Sequence, residues 1–192
     1  IPALNQPDNS TATQQPGVAL AQIAHWRETS IFPELQRVER RLVHKHFDKN
    51  VLVARTASLS SHLFIAEITQ DIAHEYYYEH AQDHVPGLYM IEAARQAATA
   101  IVHQFYDVPY GYKFILNDLQ SSFSGFAELN APLFLSINFQ NLVKEEHVLK
   151  RALAQVEFIQ GDKVIGTMQS QAVIFEPKNY NHVRDGHAVI AG

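Results

Sequence analysis

Between His74 and Gln96 the chain gathers groups that can donate, accept and hold charge: His74, Glu75, Tyr76 to Tyr78, Glu79, His80, Asp83 and His84, then Pro86-Gly87, then Glu92, Arg95 and Gln96. An imidazole titrates near neutrality, so His84 beside Asp83 has the makings of an oriented base, provided the loop turns enough to bring neighbouring side chains together. The same two residues could instead cap a following helix or bond loop backbone. Glu92 and Arg95 stand three apart, which makes them neighbours on a helix surface and able to form a local ion pair. The Ala, Ile and Leu around them place both near buried surface, where a carboxylate needs a partner and its proton affinity can be put to use. A polar loop feeding a helix start also offers free backbone donors and a positive dipole end, the ingredients of a site for an anion or a carbonyl. Gly87, His74 and His80 fall within that arrangement.

The elements that must position these residues follow from pattern. Gly87 to Tyr106 carries an apolar stripe at Ile91, Ala94, Ala98, Ile101 and Val102, with Ala93, Ala97 and Ala100 filling between. This predicts one long helix, small-faced enough for close packing, punctuated by Pro86-Gly87 and stopped by Asp107-Val108-Pro109. Short β-prone runs lie ahead of it at Val51, Val53 and at Leu63, Ile65. Four more follow, Tyr112 to Leu119, Leu133 to Val143, Val148 to Gln160 and Lys163 to Phe175, the last two joined as a hairpin by Gln160-Gly161-Asp162. Helix-compatible stretches at Ala19 to Trp26 and Pro33 to Leu42 read as an arm outside the main fold, and residues 1–18 as a solvated tail. An antiparallel sheet wrapped around one long central helix, an α+β arrangement, accommodates this order.

Composition removes whole classes of chemistry. With 15 Lys plus Arg against 20 Asp plus Glu, the net charge of -5 gives no basic field for nucleic acid. The chain has no cysteine, which excludes thiolate nucleophiles, Cys-ligated zinc and disulfides. No stretch reaches the roughly 20 predominantly apolar residues of a membrane span, and no positive n-region marks a signal peptide, so a soluble, cytoplasmic protein is expected. His80 and His84 have helical spacing but precede Pro86 in loop, and HExxH is absent, so no metal is expected. No phosphate-binding glycine loop is present and no cofactor is expected, while the lack of Gly-x-Ser-x-Gly argues against a serine hydrolase. Tyr76 to Tyr78 read as an aromatic wall.

Asp83-His84-Val85-Pro86-Gly87 followed by Met90-Ile91-Glu92-Ala93-Ala94-Arg95-Gln96 resembles the signature of the A-factor biosynthesis (AfsA-like) hotdog family. The resemblance extends to Leu42-Val43-His44-Lys45, to Val108 through Leu116, and to Phe123-Ser124 and Phe126 through Leu129, covering roughly residues 40 to 175. The segment is also distantly similar to 3-hydroxyacyl-carrier-protein dehydratases, in which a Pro-Gly shortly precedes a catalytic acid on the central helix; Glu92 falls at the matching place. The resemblance implies a hotdog fold over residues 40–176, between an arm at 1–39 and an extension at 177–192. It further implies acyl transfer from a β-ketoacyl carrier-protein thioester to a small phosphorylated acceptor of the dihydroxyacetone phosphate type. Glu92, Arg95 and His84 are then the expected catalytic residues. Glu92 would orient or exchange a proton with the substrate, and Arg95 would fix Glu92 or bind a phosphate. Asp83, Gly87, His74, His80, Gln96 and Lys45 are the expected substrate contacts. Well-known members of the family resemble two hotdog halves in tandem, so a homodimer or higher homo-oligomer is expected to restore the pair. A dehydratase or thioesterase, or a non-catalytic acyl-binding module, are the alternatives.

Overall fold

The structure is a computed structural model and describes residues 16–188. It contains α1 (Pro16–Thr29), β1 (Val53–Ser58), β2 (Leu63–Ile68), α2 (Gly87–Phe105), β3 (Lys113–Phe123), β4 (Leu133–Glu145), β5 (Val148–Gln160), β6 (Lys163–Phe175) and α3 (Pro177–Ala188). The strands make one antiparallel sheet in the order β1-β2-β4-β5-β6-β3. The sheet curls around α2, as the resemblance implied.

Side-chain size explains the closeness of that wrap. Ala93, Ala94 and Ala97 are fully buried and share one core with Phe64, Leu135, Val156 and Phe158 of the sheet. A helix surface made of methyl groups lets the sheet approach closely, and Tyr89 supplies the bulk at the helix start. The long meander is held by tight reversals. Glu146 and His147 both adopt positive φ between β4 and β5, the backbone that a two-residue hairpin requires, and Gly161 does so between β5 and β6. A bulge near Asn117 shifts the register of β3 against β6.

Three expectations are corrected. Pro33 to Leu42 is not an α-helix: a turn at residues 32–34 leads into irregular chain and then a short 3-10 turn at Arg40–Val43. The Val38 amide donates to the Val53 carbonyl and the Arg37 guanidinium to the Val51 carbonyl, so bonds to the β1 region replace those of a helix. The tail expected over residues 1–18 gives way to helix from Pro16, while residues 1–15 and 189–192 lie outside the described residues. Helix α1 packs Ala19, Ile23 and Trp26 against Ile65, Phe134 and Ile159, on the face of the sheet away from α2. Arg55 stacks on Trp26 and pairs with the fully buried Glu67, which also accepts a bond from Ser30. Strand β3 runs on to Phe123, beyond the expected Leu119.

Candidate active site

Glu92 is the hub of a polar cluster on the second turn of α2. Its Oε1 receives Lys45 Nζ at 2.7 Å, Arg95 Nη2 at 2.8 Å and Gln96 Nε2 at 3.0 Å, and its Oε2 receives Arg95 Nε at 2.8 Å. Burial favours the neutral acid here, yet the Arg95 guanidinium, Lys45 and Gln96 outweigh it and pull the carboxyl down to about 2. Glu92 is therefore a fixed anion at neutral pH, a poor proton donor and a strong organiser. Helix periodicity places Glu92, Arg95 and Gln96 on neighbouring sites, and the left-handed residue His44, at φ 56°, ends the 3-10 turn and delivers Lys45.

Gln96 is completely buried. Its Oε1 accepts the Leu52 amide and its Nε2 donates to the Asn50 carbonyl as well as to Glu92, so this side chain ties the segment before β1 to the helix and steadies the carboxylate. Lys45 and Arg95 have donors left over, since Lys45 Nζ carries three hydrogens and Arg95 Nη1 makes no hydrogen bond among the described residues. The cluster carries one net positive charge from two cations and one carboxylate. A cleft of about 290 Å³ opens beside it, walled by Tyr77, Leu88, Leu119 and Met168. Arg95 also stands at the rim of a narrow apolar slot between α2 and the sheet, lined by Ala98, Val102, Phe114, Phe139 and Ala154.

Asp83 and His84 do pair directly, with Asp83 Oδ1 2.6 Å from His84 Nδ1, because the loop turns into a bridge between His84 and Glu128. The hydrogen bond from His84 holds the Asp83 carboxyl below its usual range. His84 lines a separate cleft of about 350 Å³ with Gly87, Met90, Phe123 and Phe126. Helix α2 begins there with Pro86 at its cap and no side-chain capping bond, so the amides of its first turn have no side-chain acceptor at the cap. Gly87 matters sterically: a Cβ at this position would stand 3.1 Å from the Phe123 ring.

The remaining expected residues are placed elsewhere. His74 stacks on Tyr77 and Tyr89 with its Nδ1 buried and unbonded, and His80 contacts Gln82 on the exposed loop. Tyr89 bonds the Thr69 carbonyl, and Tyr76, Tyr77 and Tyr78 join this aromatic group, with Tyr77 also facing Glu92. Two residues outside the expected set meet beside the apolar slot. His44 and His103 meet Nε2 to Nε2 at 2.9 Å and both rings pack on Phe114, a wall of the apolar slot. The spacing Arg95, Thr99, His103 runs down one helix face in steps of four, a signal that was available in the sequence.

The comparisons with known proteins agree on family and fold. Residues 26–176 match the A-factor biosynthesis hotdog domain. A 2-oxo-3-(phosphooxy)propyl 3-oxoalkanoate synthase of Streptomyces virginiae is 35% identical over 69 residues, which are 36% of this chain and 21% of that protein. The match thus spans about a fifth of the length of that curated relative. Among solved structures, the dehydratase heterocomplex ApeI:P from Xenorhabdus doucetiae is similar with a TM-score of 0.59 at 17% identity, covering 78% of this chain and 98% of that one. A homologue of HP0420 from Helicobacter felis has a TM-score of 0.51 at 15% identity, covering 72% of this chain and 89% of the other. With a sheet curled around one helix, solved structures of the same shape and a family match over most of its length, the chain belongs to the A-factor biosynthesis hotdog domain family.

Proposed function

We propose that this domain transfers a β-ketoacyl group from a carrier-protein thioester to the hydroxyl of a small phosphorylated acceptor of the dihydroxyacetone phosphate type, in the making of a γ-butyrolactone or butenolide signal or a related secondary metabolite. The observation that carries the reading is the saturated Glu92. An ionised carboxylate that holds Lys45 and Arg95 in place while leaving them spare donors is built to present cations to an oxyanion. Arg95 borders the apolar slot too, so one side chain can touch a phosphate or the thioester oxygen while the acyl tail lies along Ala98, Val102 and Ala154. The Asp83–His84 cleft, roughly two turns back along α2, would take the arm that carries the thioester, with His84 and the uncapped amides as donors. Dehydration is less favoured, because it asks Glu92 for a proton that its partners keep away.

The working unit of this reading is the span 40–176, paired with a second copy in the cytoplasm. Among the described residues strand β3 ends the sheet with one side unpaired, and Leu116, Leu119 and Phe123 on it are exposed around the Glu92 and His84 clefts. A partner across that edge would close both clefts. The test is incubation with a β-ketoacyl carrier-protein thioester, with and without dihydroxyacetone phosphate, followed by intact mass. Acceptor-dependent loss of the acyl group, abolished in Glu92→Gln, is expected. Acceptor-independent hydrolysis, loss of water, or an untouched thioester would overturn the reading.

A further inference from the structure

The meeting of His44 and His103 has a determined proton arrangement. His103 Nδ1 lies 2.7 Å from the Val108 carbonyl, which can only accept, so Nδ1 carries the hydrogen and Nε2 of the neutral ring is bare. The 2.9 Å contact between the two Nε2 atoms then needs its hydrogen on His44. With Nε2 of His44 donating, the lone pair of that ring sits on Nδ1, which bonds no protein group among the described residues. The ring is set edge-on to Phe114 at 5.0 Å, one side open to solvent, directly before Lys45, which binds Glu92. The left-handed backbone of His44, which caps the Arg40–Val43 turn, sets the direction in which the ring leaves the chain.

We propose that His44 is the proton acceptor for the attacking hydroxyl at the Glu92 site, and that His103 is the positioning residue that fixes its tautomer through the Nε2 contact. The inference rests on the acyl-transfer reading. The hydroxyl oxygen bonds the thioester carbonyl carbon as its hydrogen passes to His44 Nδ1. The C–S bond breaks with its electron pair going to sulfur, and His44 returns the proton to that sulfur, leaving an ester, a free thiol and a neutral imidazole.

The surroundings tie this step to the acceptor. His103 and Arg95 face His44 from α2 and Lys113 from β3, with Tyr110 stacked on His103, Arg41 over Tyr110 and the Lys45–Glu92 pair alongside. Partial burial, then His103, Arg95 and Lys113, hold the His44 imidazole down to about 4. An anionic phosphate settling on Arg95 and Lys45 offsets that positive field, so the base becomes stronger when the acceptor is bound. A metal between the rings is the competing use, but no third His, Asp or Glu joins them in a ligand group among the described residues.

Two measurements test this. Histidine ¹⁵N NMR of the whole protein, titrated with and without inorganic phosphate, is expected to show His44 with hydrogen on Nε2, His103 with hydrogen on Nδ1, and a His44 titration that moves to higher pH with phosphate. The opposite tautomer, no response to phosphate, or Zn²⁺ binding lost in both His44→Gln and His103→Phe would overturn the assignment. In the thioester assay, His44→Gln is expected to cut acceptor-dependent turnover on the order of 100-fold with carrier binding intact. His103→Phe should shift the acid limb of the pH–rate profile, and His103→Gln, whose oxygen can accept from His44, should restore it. Full turnover in His44→Gln beside an active parent sinks the base alone. A parent with no acceptor-dependent turnover sinks the transfer reading and the base together, while the tautomers are still read by NMR.

Discussion

At the scale of the residue, Glu92 converts a motif into an electrostatic statement. Its carboxyl stays ionised down to about 2 in the fold, against 4.5 for an ordinary glutamate. The folded pKa is the lower one, so the stabilisation is complete above about 4.5 and is lost as pH falls toward 2. Glu92→Gln should therefore destabilise the protein on the order of 2 to 3 kcal/mol at pH 7, a difference that shrinks below pH 4 in urea titrations. Glu92 and Arg95 were legible from their spacing and Lys45 from the family pattern. His44 and His103 were not singled out, because 59 residues separate them and only the folded chain brings their rings together. The same limit applied to Asp83 and His84, whose direct pair depends on how the loop bends.

At the scale of the element, glycine and alanine decide how closely parts meet. Gly166 on β6 lies opposite Phe123, and a Cβ there would stand 2.6 Å from the Phe123 ring and 2.9 Å from the Ser122 carbonyl. The carbonyl is backbone and cannot swing away. Gly166→Ala is expected to cost about 2 kcal/mol by chemical denaturation and to loosen the wall of the His84 cleft, which Phe123 lines. Periodicity was enough to read α2 and the four strands after it, since their patterns are long and their turns marked by Gly161 or by polar residues. It failed at Pro33 to Leu42, where local propensity favours helix but the chain finds its hydrogen bonds on the β1 region instead, a tertiary choice with no local signature.

At the scale of the whole molecule, the two ends of the sheet are treated differently. The segment before the Arg40–Val43 turn lays Val38 against Val53 at the β1 end, whereas β3 offers 11 residues with no strand beyond them among the described residues. Leu119, 40% exposed on that strand, is a place where a charge would hurt a partner more than the monomer. Leu119→Lys is expected to convert a dimer to a monomer in sedimentation velocity while leaving the thermal transition of the fold in place; an unchanged dimer would place the interface elsewhere. The strand order carries a kinetic signature as well. β2, β4, β5 and β6 all have neighbours on both sides, and β4 and β5 are the central pair, so their amides should exchange with deuterium most slowly at any protein concentration. The outward amides of β3 have no partner among the described residues, and their exchange should slow as concentration rises, making this strand an internal gauge of assembly.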